Sequence, residues 1–146
     1  MIQRIQSLYL LLAALFSAFT LIVPTASLSV AEKVCSLNSL GCSLCGTNAI
    51  GMFIFAIASS ILALVSIFVF ANRKKQQKWV NTALLSNLFW YITFAVRIFS
   101  AKSENKAEFG FEVGCLFPLL AMLMLFLAKK AIKHDDDLVR AADRIR

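Results

Sequence analysis

Charge is scarce in this chain. Of its 146 residues 16% are charged, against about 25% in an ordinary globular domain. Sixty per cent are hydrophobic and the mean hydropathy is +0.77, which excludes a solvated, disordered chain. Most of the length goes into apolar runs, so a large enzyme core is not expected either. Glycine and proline are few, five and two, and no glycine-rich phosphate loop can be assembled. The single histidine, His134, allows no H-E-x-x-H pattern and no nucleophile constellation. No cofactor and no metal site are expected. What remains is the composition of an integral membrane protein.

Four runs are long and apolar enough to span a hydrocarbon core of about 30 Å, which takes about 20 helical residues. The first is centred on Leu8–Val23 and extends to about 5 and 28. The second, 50–71, carries no charge. The third, 79–99, is interrupted only by Arg97, and the fourth, about 109–128, holds Glu112 and Pro118 near its start. The runs are continuous, do not alternate and are too few to close a barrel, so they are read as helices. The Leu28-Ser29-Val30 region alternates weakly and could add a short strand. The short basic loop 72–78 makes the second and third helices antiparallel neighbours.

Orientation follows from the lysines and arginines. With a cytoplasmic N-terminus, the inside segments hold Arg4, then Arg73, Lys74, Lys75 and Lys78, then Lys129, Lys130, Lys133, Arg140, Arg144 and Arg146. That is eleven of fifteen basic residues. Outside, Lys33, Arg97, Lys102 and Lys106 are balanced by Glu32, Glu104, Glu108 and Glu112, so the whole formal charge of +7 lies inside. Such charge faces anionic lipid; nucleic acid is not an expected partner. A competing reading makes the first run a signal peptide cleaved after Ser29-Val30-Ala31, leaving three spans. Its apolar stretch of at least 16 residues is long for that role, and the chain is read with four spans.

The four cysteines lie at the outer face, Cys35, Cys42 and Cys45 in the first loop and Cys115 at the outer end of the fourth helix. Disulfides persist on that side. Cys42-Ser-Leu-Cys45 has the C-x-x-C spacing that lowers a thiol pKa in redox motifs. A disulfide-generating membrane enzyme carries a second pair in the other outer loop, and here only Cys115 is available. Structural bridges, or unpaired small side chains, are therefore preferred to a redox role. Inside the spans, Asn87 with Tyr91 one turn on marks a helix-packing position. No chain of buried acids exists to relay protons, so transport is poorly supported.

The last thirteen residues, His134–Arg146, gather acids at the start and arginines at the end, which suits a short helix and its dipole. Leu138, Val139, Ala142 and Ile145 form one apolar stripe, with Arg140 and Arg144 beside it. The stripe needs something to lie on: membrane, the 72–78 loop, or another protein.

The opening Met1-Ile-Gln-Arg-Ile-Gln-Ser-Leu-Tyr-Leu-Leu-Leu-Ala13 and the closing Asp-Asp-Leu-Val-Arg-Ala-Ala-Asp-Arg-Ile-Arg146 resemble the two ends of a bacteroidete four-helix membrane family of unknown function, domain-of-unknown-function family 4293. The resemblance implies an inner-membrane location in a Gram-negative bacterium and supplies no activity and no functional residues. The cysteines depart from it. The expected fold is thus all-α: a four-helix transmembrane bundle over 1–133 with both termini cytoplasmic, followed by a short amphipathic tail helix over 134–146. The expected function is an accessory or scaffold subunit, not an enzyme, docking a cytoplasmic protein through Leu138, Val139, Arg140, Ala142, Arg144 and Ile145. Membrane lipid is the other expected partner. The alternative is a membrane thiol-disulfide oxidoreductase using Cys42 and Cys45.

Overall fold

The computed structural model describes residues 3–30, 33–39, 41–42, 47–70, 72–105 and 108–144. Four helices dominate: α1 (Gln3–Ile22), α2 (Ile50–Phe68), α3 (Arg73–Asn105) and α4 (Leu116–Arg144). Each contains a segment long and apolar enough to cross a membrane. They run up and down, with α1 against α2 and α4, and α3 against α2 and α4, as short connections require.

The helices face one another with a repeat of alternating three- and four-residue steps. On α2 the buried residues are Met52, Ala56, Ser59, Ala63 and Ser66; on α4 they are Pro118, Ala121, Leu125, Ala128, Ile132 and Asp135. On α3, Gln76, Val80, Ala83, Asn87, Trp90 and Phe94 follow the same steps. A mean spacing of 3.5 residues is that of left-handed bundles. The seam mixes larger residues such as Met52, Trp90 and Leu125 with many alanines and serines that are 4% exposed or less, while Phe99 is 80%, Phe68 78% and Ile22 74% exposed. Many small side chains in the seam and many large apolar ones outside depart from the pattern of a water-soluble bundle.

At one end of the bundle, the sheet end, β1 (Ala26–Val30) lies between β2 (Lys33–Leu37) and β5 (Glu108–Phe111) in an antiparallel sheet, with a second small pair, β3 (Gly41–Cys42) and β4 (Thr47–Asn48). The weak alternation at 28–30 therefore belongs to a strand. At the opposite end α1 and α3 begin and α2 and α4 end; this is the basic end.

Several element limits differ from those read in the sequence. The first helix stops at Ile22 and does not continue to 28, because Pro24 disfavours helix at Val23. Thr25 then donates its amide and its hydroxyl to the Leu37 carbonyl, each at 2.9 Å. The fourth helix starts at Leu116, not near 109, since Phe109–Phe111 are taken by β5. That start puts Pro118 in the first turn, where proline is tolerated. A short 3₁₀ turn, Val113–Cys115, joins the two. Gly114 is required there: a Cβ would collide with the Pro24 carbonyl, which accepts from the Gly114 amide at 3.1 Å.

The basic segment 73–78 is not a loop but the opening of α3. Asn72 caps it, its side-chain oxygen accepting from the Lys75 amide at 3.2 Å. Nor is the tail a separate helix. With no glycine or proline after Pro118, α4 runs unbroken to Arg144, a length of 29 residues or about 43 Å.

Candidate functional site

Followed toward the basic end, the seam of every helix finishes on a polar residue: Gln6 on α1, Ser66 on α2, Gln76 on α3 and Asp135 on α4. All four are buried. A buried polar group must find partners or lose the hydrogen bonds it had in water. Gln76 Nε2 donates to the Ser66 carbonyl at 3.1 Å, and Gln6 Nε2 to the Ala131 carbonyl at 3.3 Å. Buried Ser66 Oγ has no partner among the described residues.

Asp135 is answered by Arg73. The guanidinium approaches the carboxylate at 3.0 Å, Nη2 to Oδ2, and donates from Nη1 to the Asp135 carbonyl at 3.1 Å. These side chains keep only 24% and 12% of their surface. Both amides thus tie helix to helix, and the ion pair fastens the start of α3 to α4.

This layer floors a cavity of about 320 Å³. Gln6 and Ser7 of α1, Arg73 and Gln76 of α3, and Asp135 give it a polar side; Ile67 and Phe68 of α2, with Phe70 beyond it, give it an apolar one. An ion pair flanked by two amides is equipped to bind a ligand carrying charge.

A second polar chain crosses the middle of the bundle. Asn87 Nδ2 donates to Ser59 Oγ at 2.7 Å, and Ser59 Oγ lies 3.1 Å from Ser17 Oγ. The chain joins α3, α2 and α1. One turn along α3, the Tyr91 hydroxyl donates to the Cys115 carbonyl at 2.7 Å, which fixes the start of α4.

The cysteines are spread over separate elements. Cys35 stands in β2 opposite Leu28, Cys42 in β3 opposite Thr47, and Cys45 lies outside the described residues. Cys115 is a half-buried free thiol. Among the described residues, no three His, Cys, Asp or Glu side chains are grouped to hold a metal ion.

Of the tail residues singled out for docking, Leu138 and Val139 are exposed, at 46% and 42%. Val139 is the next seam position after Asp135 and, unlike the seam positions before it, is exposed. Arg140, Ala142 and Arg144 belong to the same helix, and Ile145 lies outside the described residues. His134 is exposed.

Sequence reasoning overlooked Gln6, Gln76 and the pairing of Arg73 with Asp135. The seam itself carried the signal, since one further step of its repeat from Leu10, Val80 and Ile132 reaches Gln6, Gln76 and Asp135.

The family model described as a domain of unknown function (DUF4293) matches residues 2–145. Neither a curated protein nor a solved structure matches the chain. The two stretches in which the sequence resembles this family, at the beginning and the end, adjoin the cavity lining: Gln6 and Ser7 come from one, and Asp135 immediately precedes the other.

Proposed function

Since the chain belongs to the DUF4293 family across residues 2–145, we propose that it is a multi-pass bacterial inner-membrane protein with both termini cytoplasmic. In this reading it is not an enzyme. It is an accessory or scaffold subunit that docks a cytoplasmic protein through the protruding end of α4. Insertion is supported by the many large apolar side chains exposed along all four helices, which need lipid around them. Orientation is supported by the basic residues gathered at the end where α1 starts and α4 finishes. Retention of α1 is supported by its packing: Leu10, Ala13 and Ala14 belong to the core shared with α2, α3 and α4.

The observation that carries the docking reading is the continuity of α4 past Asp135. A separate thirteen-residue helix would be marginal in water. As the last turns of α4, anchored through Asp135, the residues up to Arg144 extend an established helix, with Leu138 and Val139 exposed.

Reporter fusions test the placement. Those after Lys75 and Arg146 should be active only with a cytoplasmic reporter, and one near Asn105 only with an outer-face reporter. Leu138→Asp tests the docking. It should abolish the chain's migration as part of a larger complex on native gels, while membrane abundance stays unchanged. Unaltered migration would leave α4 without a docking role.

A further inference from the structure

We propose that the basic-end cavity is a headgroup site for a zwitterionic phospholipid of the phosphoethanolamine class. The proposal rests on membrane insertion as read above, and goes beyond it by naming what the cavity holds.

Depth is the first observation. The cavity lies where the uncharged stretch of α2 ends, at Ile67 and Phe68, and where the first charge of α3, Arg73, begins. In an inserted bundle that is the level of the lipid headgroups. Its volume of about 320 Å³ falls at the lower end of the range for small-ligand sites, about 300–1,000 Å³.

Chemistry is the second. The polar wall holds one cation and one anion, Arg73 and Asp135, paired with each other at 3.0 Å. A purely anionic headgroup would be drawn to Arg73 and repelled by Asp135. A phosphoethanolamine headgroup carries both signs in the same short span. Its phosphate oxygens accept from the guanidinium, which has five N–H donors and commits two groups, Nη1 and Nη2, to Asp135. Its ammonium donates to the Asp135 carboxylate, and the Gln6 and Gln76 amides supply further polar contact.

The apolar wall is the third. Ile67, Phe68 and Phe70 also line the cavity, and Phe68 and Phe70 are 78% and 60% exposed. They provide a surface for the glycerol and upper acyl carbons that a soluble zwitterion would not use. Phosphatidylcholine, whose quaternary ammonium has no N–H to donate, loses the contact with Asp135.

Native mass spectrometry of the detergent-solubilised full chain, titrated with phosphatidylethanolamine, phosphatidylglycerol, phosphatidylcholine and free phosphoethanolamine, tests the proposal. Phosphatidylethanolamine should bind at least about tenfold more tightly than phosphatidylglycerol and phosphatidylcholine, as expected for one charge-assisted hydrogen bond, and more tightly than free phosphoethanolamine, which lacks the glycerol and acyl contacts. Asp135→Asn, which removes the charged acceptor of the ammonium, should remove that preference. Ser7→Trp, which adds bulk to the cavity lining from α1, should remove it too while the thermal transition is kept. Equal binding of phosphatidylglycerol would overturn the zwitterion assignment, and equal binding of free phosphoethanolamine would overturn the lipid. A preference that survives both Asp135→Asn and Ser7→Trp would place the lipid elsewhere. Carbonate extraction of native membranes separates this failure from the broader one: a chain released from the membrane would sink the insertion reading itself.

Discussion

Arg73, the first residue of α3, grips Asp135 of α4 at two points, its carboxylate at 3.0 Å and its main-chain carbonyl at 3.1 Å. The contact lies at the last seam position at which α4 is buried in the bundle. Beyond it Leu138 and Val139 of α4 are exposed.

Removing either partner should therefore loosen the basic end. Arg73→Ala leaves a largely buried carboxylate unpaired, and Asp135→Ala leaves a guanidinium without its acceptor. Each should cost about 2 kcal/mol in equilibrium unfolding in mild detergent. The double variant should cost about 1 kcal/mol less than the two singles added together. Strict additivity would mean that the pair is not coupled.

The Asn87–Ser59–Ser17 chain makes a second prediction. Asn87→Ala should destabilise by about 1 kcal/mol, in the range of polar contacts between membrane helices. Ser59→Ala should cost about as much, and adding it to Asn87→Ala should cost little more, because Ser59 Oγ is what Asn87 donates to. The same unfolding assay measures all three variants.

Gly114 gives a third. A Cβ there runs into the Pro24 carbonyl, backbone that cannot swing aside, so Gly114→Ala should lower stability by about 2–3 kcal/mol. At Gly51 the added methyl would meet Thr93 Cγ2 at 3.3 Å, a side-chain atom that can shift. Gly51→Ala should cost under about 1 kcal/mol, partly offset by the helix propensity of alanine. Equal losses would mean that the close approach at Pro24 does not govern the turn.

The helices were legible because apolar runs of that length have few other uses, but their ends were not. Phe109-Gly110-Phe111 is as apolar as a helix start, and only its pairing with Ala26–Leu28 of β1 makes it a strand. Asp135 reads in the sequence as one of three consecutive acids suited to a helix dipole. Its burial depends on Arg73, sixty-two residues away in the chain, a distance over which local pattern carries no information. The tail was read as separate because charge replaces apolar residues after Ala128. Yet charge does not break a helix, and lysine and arginine are good helix formers. Asn87 was legible as a packing residue, but which helix it reaches was not.

The claim that the protruding end of α4 is a docking element is tested most directly by photo-crosslinking in native membranes. A photoreactive residue replaces Val139, and in a control it replaces His134, which is also exposed. The expected result is one discrete protein adduct from position 139, lost when Leu138→Asp is added, and no such adduct from position 134. Labelling confined to lipid, or identical from both positions, would contradict the claim and reduce the last turns of α4 to a solvated end.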